Sequence, residues 1–163
     1  MSVWSALVGG FAGTIVLTTT IAGASHLGLT RMDLPFLLGT ALSVDRPKAR
    51  VIGYLVHFVM GCAFALGYYA LFVAIGRAAW WLGGLFGLGH ALFAGTALVN
   101  TLLPMVHPRM GSPLTAADEA PLLEAPGFML LNYGLATPVV TILAHVLYGA
   151  IIGAFVSLGS RQP

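Results

Sequence analysis

The sequence predicts an all-α membrane protein: four transmembrane helices built as two parallel helix-hairpin repeats, with short interfacial or re-entrant segments in loops one and three. Three observations carry this prediction. The 163-residue chain is 58% hydrophobic and only 7% charged, with a mean hydropathy of +0.94, whereas a soluble domain carries about 25% charged residues. Charge-free apolar stretches at Trp4–Thr30, Val51–Gly76, Ala78–Leu103 and Gly127–Leu158 each exceed the ~20 residues a helix needs to cross a hydrocarbon core. The third observation is an ordered set of short motifs that occurs twice along the chain.

The first apolar stretch contains "TIAGAS" (Thr20–Ser25), which has the small residues of a signal-peptidase site. Its first ten residues carry no Lys or Arg and the apolar run continues past that site, so the expectation is a retained transmembrane helix. Arg31, Asp33, Asp45, Arg46, Lys48, Arg50, Arg77, Arg109, Asp118, Glu119, Glu124 and Arg161 all fall outside the apolar stretches, as the cost of charge in lipid requires. Arg31, Arg46, Lys48, Arg50 and Arg109 fall in loops one and three, against Arg77 and Arg161 on the opposite side. The excess of basic residues directs loops one and three to the cytoplasm. "DRPKAR" (Asp45–Arg50) reads as a juxtamembrane anchor for anionic headgroups. A surplus of two basic residues is no footprint for nucleic acid. Cys62 is the single cysteine, which excludes a disulfide framework and a cysteine-based metal motif.

The repeat runs as follows. "FAGT" occurs at Phe11–Thr14 and Phe93–Thr96; His26 with Arg31-Met32 is matched by His107 with Arg109-Met110; His57/Gly61 is matched by His145/Gly149. "PFLLGTAL" (Pro35–Leu42) and "PGFMLLNYG" (Pro126–Gly134) stand in the intervening loops. Repeat one covers about residues 4–76 and repeat two about 78–160, within a single domain of residues 1–163. Because each unit returns the chain to its starting side, the pseudo-two-fold axis lies along the membrane normal. Pro138 separates Phe128–Gly134 as a half-helix from the last span, with Leu34–Ser43 as its counterpart.

Small residues fall at helical spacing on every span: Gly9/Gly13, Gly53-His57-Gly61-Ala65, Gly87/Ala91/Gly95 and Thr141-His145-Gly149-Gly153. Such stripes let helix backbones approach in lipid, and they point His57 and His145 into the bundle. Two inward imidazoles can ligate a b-type haem axially; His26 and His107, on the same side of the membrane, extend the set to a transition-metal site. "MVHPRM" (Met105–Met110) adds thioethers suited to Cu(I). The structural alternative is that these imidazoles hydrogen-bond between helices. His90, near mid-span without a counterpart, reads as a helix contact. Thr18–Thr20 and Asn100 read the same way. No carboxylate lies within a span, which argues against a proton pump built on an acidic relay.

The Gly/Ala-rich first helix, the Leu-rich segment before "GYLVHF" (Gly53–Phe58) and the closing "LAHVLYGAIIGA" (Leu143–Ala154) resemble a group of bacterial four-helix integral membrane proteins carrying a domain of unknown function. The resemblance implies a bacterial cytoplasmic (inner) membrane location and brings no activity with it. The functional expectation is a non-enzymatic accessory subunit or small transport-type component in the lipid bilayer, as a homodimer or part of a larger complex. The alternative is a haem- or metal-binding redox protein.

Overall fold

The computed structural model describes residues 1–110 and 123–159. Asp118, Glu119, Arg161 and the last residue assigned to repeat two lie outside the described residues. Every regular element among the described residues is helical. Four helical segments are long and apolar enough to cross a membrane: Val3–His26, Arg46–Ile75, Trp80–Val106 and Thr137–Gly159.

Helix α1 (Val3–His26) is followed by a short helix α2 (Leu34–Gly39), whose start is fixed by the Asp33 carboxylate accepting from the Phe36 N–H at 3.0 Å. Helix α3 (Arg46–Ile75) begins earlier than the apolar stretch because Asp45 caps it, accepting from the Lys48 N–H at 2.9 Å, with proline in the first turn. Arg46, Lys48 and Arg50 are therefore its first turns rather than loop. Gly76, at φ 73°, ends α3 in the left-handed conformation that glycine adopts without strain.

The third span is not one α-helix. Helix α4 (Trp80–Phe93) widens into a nine-residue π-helix, Ala94–Leu102, before a last turn α5 (Leu103–Val106). Pro104 stands just past the wide segment, and its ring lacks an N–H and crowds the carbonyl one turn back, at the end of the π-helix. The Asn100 amide donates to the Gly95, Thr96 and Gly127 carbonyls at 3.2, 3.1 and 3.0 Å, which satisfies acceptors at the wide turn and ties it to loop three.

Of the half-helices expected in loops one and three, the first is the regular α2. The second, Phe128–Tyr133, is a tight 3-10 segment in which Met129 and Leu130 take φ of 50° and 64°. Left-handed backbone at non-glycine residues costs roughly 1–2 kcal/mol each. Their side chains, 7% and 2% exposed, are anchored in the interior and offset that cost. A regular right-handed turn there would direct them elsewhere.

Helix α6 (Thr137–Gly159) packs against both α1 and α4, and α1 packs against α3, which carries α2 on its outer turns. The small-residue stripes lie at these contacts. A Cβ on Gly83 would run into the Gly149 carbonyl, and one on Gly149 into the Gly83 carbonyl, so α4 and α6 touch backbone to backbone. Gly39 and Gly53 make the same kind of approach between α2 and α3. Helices α3 and α6 meet only sparsely, and the space between them holds the site.

Candidate functional site: a histidine-lined chamber with a polar vestibule

His57 on α3, His90 on α4 and His145 on α6 line one partly open chamber of about 80 Å³. Its wall is otherwise mainly apolar, with Leu17, Phe64, Leu98 and Val99 among the contributors. The π-helix supplies Ala94, Leu98 and Val99, so the wide turn is part of the chamber's shape. His90 stands edge-on to His145, with centroids 4.8 Å apart, and its Nδ1 lies 3.3 Å from the Tyr68 hydroxyl. Phe72, Ile152 and Val156, farther along α3 and α6, are fully buried.

Most polar groups of the chamber are already paired. The Thr14 hydroxyl donates to the Gly10 carbonyl at 2.7 Å, and the Tyr148 hydroxyl donates to the Gly61 carbonyl. His145 Nδ1–H donates to the Thr141 carbonyl at 2.8 Å, which leaves Nε2 of the neutral ring as an acceptor. Two atoms differ. His57 Nε2 and Thr141 Oγ1 are buried and have no hydrogen-bond partner among the described residues. Residual unpaired polar atoms in a folded interior are few and call for explanation.

A second cavity, of about 300 Å³, adjoins the first on the loop-one side. It is the more polar of the two, lined by Thr18, Ser25, His26, Asp33, Arg50 and Tyr54. Arg50 and Asp33 are paired at 2.7 Å. His57, Met32 and Leu34 line both cavities and form the partition between them. Both cavities are lined by residues of a single chain.

Loop three is clasped over this end. The Arg31 guanidinium forks onto Glu124 at 2.9 and 3.0 Å and also donates to the Asn132 carbonyl at 2.5 Å. The Arg31 N–H donates to the Tyr133 carbonyl, the Tyr133 hydroxyl to the Glu124 carbonyl, and Thr137 to the Thr30 hydroxyl at 2.8 Å. The bonds to Glu124 raise the Arg31 pKa, and burial followed by the Glu124 charge raises that of Tyr133.

The four histidines singled out in the sequence do not assemble as one set. His57 and His145 share the chamber, but no hydrogen bond joins them. His26 lines the vestibule. His107 lies elsewhere, against α2: its Nδ1 accepts from the Arg109 N–H at 3.2 Å, so Nε2–H donates to the Leu37 carbonyl at 2.9 Å, with the Thr40 hydroxyl 3.3 Å away. With both nitrogens engaged, His107 has no lone pair for a metal. Among the described residues no three His, Cys, Asp or Glu side chains form a group able to hold a metal ion, and the structure does not bring His26 and His107 together. The chamber, at about 80 Å³, is well below the roughly 300–1,000 Å³ of sites for drug-sized ligands.

Sequence reasoning left His90 and Met32 out of the site. His90 is three residues beyond Gly87, whose close approach to the His145 carbonyl brings this face of α4 onto α6; that spacing was a usable signal. Met32 sits in a loop and has no periodicity to betray it. No protein-family model matches the chain, and no curated protein or solved structure matches it significantly.

Proposed function

We propose that this chain is a small, non-enzymatic, transport-type membrane component that takes a solute from the loop-one side into its interior. One observation carries the reading: His57, with an unpartnered ring nitrogen, belongs at once to the polar vestibule and to the inner chamber. A residue fastening two helices would have that nitrogen on the facing helix. The vestibule offers polar groups, and Met32, Leu34 and His57 stand between it and the chamber. Farther along α3 and α6, Phe72, Ile152 and Val156 are fully buried, so passage through the membrane requires a second, open conformation, as alternating access does.

The wider setting of this reading is an internal duplication in a bacterial inner membrane. The order long span, short helical segment, long span occurs twice, in support of the two parallel hairpin repeats. The basic first turns of α3 (Arg46, Lys48 and Arg50) favour loops one and three on the cytoplasmic side. Solute would then enter from the cytoplasm. The family resemblance fits the same setting, and service as a homodimer or as an accessory subunit in a larger complex is compatible with it.

The test is solute flux in proteoliposomes, followed by light scattering for neutral solutes and by entrapped dyes for protons and potassium. The wild-type protein is expected to raise the permeability of at least one solute several-fold over protein-free vesicles, and His57→Leu to abolish the increase. Vesicles that pass nothing beyond the lipid background, with correctly folded protein inserted, overturn the reading.

A further inference from the structure

We infer that the inner chamber is a binding site for a small uncharged solute that hydrogen-bonds at two points, to His57 Nε2 on α3 and to Thr141 Oγ1 on α6. The inference deepens the transport reading, on which it rests for the vestibule as the entry, by naming the class of solute.

The two orphaned atoms define the contacts. His57 and Thr141 are 8% and 1% exposed, both line the chamber, and both side-chain atoms are unpartnered. For Thr141 the lack of a partner is informative, because a helical threonine has an easy local one. Thr14, Thr18 and Thr20 each return the hydroxyl to the carbonyl four residues back, at 2.7, 2.6 and 2.7 Å. Thr141 does not. Its own carbonyl is held by His145 Nδ1, and its hydroxyl remains available to a guest. Leaving a buried polar group unpaired is costly, and a guest that pairs both atoms recovers that cost. Such a guest also bridges α3 and α6 where they make little contact of their own.

Charge and size set the class. No Asp, Glu, Lys or Arg lines the chamber. An ion entering it would shed its hydration with no opposite charge to meet, a penalty that survives relaxation of the surroundings. The charged pair Arg50–Asp33 stays in the vestibule, where an ion can be held and from which the chamber excludes it. A volume of about 80 Å³ admits a molecule of a few non-hydrogen atoms. The hydroxyl of Thr141 donates and accepts, and the imidazole supplies one donor or acceptor, so a short amide with both functions matches the pair.

The experiment uses the full chain with 15N-labelled histidine in lipid nanodiscs, titrated with formamide and urea as neutral probes and with potassium and tetramethylammonium as charged ones. Formamide or urea is expected to displace the His57 ring resonances saturably and to leave those of His107 unmoved. Thr141→Val, which keeps the shape and removes the hydroxyl, should weaken the apparent affinity at least tenfold; Thr141→Ser should retain it. Absence of saturable displacement by either neutral probe overturns the inference, as does equal affinity in Thr141→Val, or displacement by the cations. The two readings fail separately. Formamide binding without flux in proteoliposomes sinks transport and leaves the site standing, whereas flux of ions without neutral-probe binding does the reverse.

Discussion

His90 on α4 and His145 on α6 stand edge to face, with ring centroids 4.8 Å apart and ring planes at 76°. The contact exists because Gly87 presses against the His145 carbonyl and brings the two helices within reach. His90 also stacks on Phe64 at 4.2 Å and meets the Tyr68 hydroxyl through Nδ1. Its two roles can be separated. His90→Phe keeps the ring contacts and strands the Tyr68 hydroxyl, and we expect a loss of about 1–3 kcal/mol in detergent-induced unfolding. Tyr68→Phe in that background should recover part of the loss, since no unpaired hydroxyl remains. Strict additivity of the two substitutions would show that the hydrogen bond contributes nothing.

The Gly83–Gly149 contact makes a second prediction with a built-in control. A Cβ at either position meets the other's backbone carbonyl, whereas Gly67 and Gly89 have nothing within 4 Å of an added Cβ. Gly83→Ala and Gly149→Ala should each destabilise by about 1–3 kcal/mol, the usual cost of overpacking. Gly67→Ala and Gly89→Ala should be neutral or stabilise by up to about 1 kcal/mol, as expected of glycine in a helix interior. Equal effects at all four positions, read from thermal unfolding in bicelles, would contradict a backbone-to-backbone seam between α4 and α6.

His107 should make the bundle sensitive to acid. Burial pushes its pKa below the ordinary imidazole value, and the Arg109 charge lowers it further, against the opposing effect of its bond to the Leu37 carbonyl. The ring accepts the Arg109 N–H at Nδ1, and a proton there breaks that bond. With its folded pKa depressed, His107 binds fewer protons in the native state than in the unfolded one. Its contribution to stability is therefore fully present above the unfolded value of about 6.5 and is lost as pH falls from there toward the lower folded value. Unfolding midpoints measured between pH 7.5 and 5 should fall, and His107→Gln should flatten that slope. An unchanged slope would assign it to another group.

How much of this was legible in the sequence divides along physical lines. The spans are written in hydropathy, because the cost of burying charge in lipid acts on composition. The stripes through Gly53, His57 and Gly61, and through Thr141, His145 and Gly149, are written in helical periodicity, and all six residues are buried. The start of α3 at Arg46 was set by the Asp45 cap rather than by hydropathy, and so lay upstream of the apolar edge. The π-helix at Ala94–Leu102 and the left-handed Met129 and Leu130 have no periodic signature, since each answers to contacts between distant segments. The shared chamber was half legible: two of its histidines follow from the stripes. The volume left beside His57 and His145 depends on how far side chains from several elements fill the middle, which no single segment encodes. His107 matched His26 in the motif order and still serves α2 instead, because its hydrogen bonds are made to Leu37 and to its own turn.

Met32 lines three adjoining cavities, and on the transport reading it is the side chain that controls access to the chamber. Its side chain is 5% exposed and borders the chamber, the vestibule and a third cleft of about 140 Å³ beneath the Arg31–Glu124 clasp. Its own N–H donates to the Thr30 hydroxyl at 3.1 Å, and Thr30 in turn accepts from Thr137 on α6, so the backbone is fixed while the flexible thioether fills the partition. Met32→Ala removes that filling and joins the vestibule to the chamber. We expect solute entry to accelerate several-fold with the same solute selectivity, because His57 and Thr141 are untouched. Destabilisation should fall in the range of about 2–5 kcal/mol seen for large-to-small substitutions at buried sites, and Met32→Leu should restore both stability and the slow wild-type rate. Glu124→Gln, by contrast, loosens the clasp without altering the partition: hydrogen exchange at Phe128–Tyr133 should rise while entry stays near the wild-type rate. Should Glu124→Gln accelerate entry as much as Met32→Ala, the barrier lies in loop three and not at Met32.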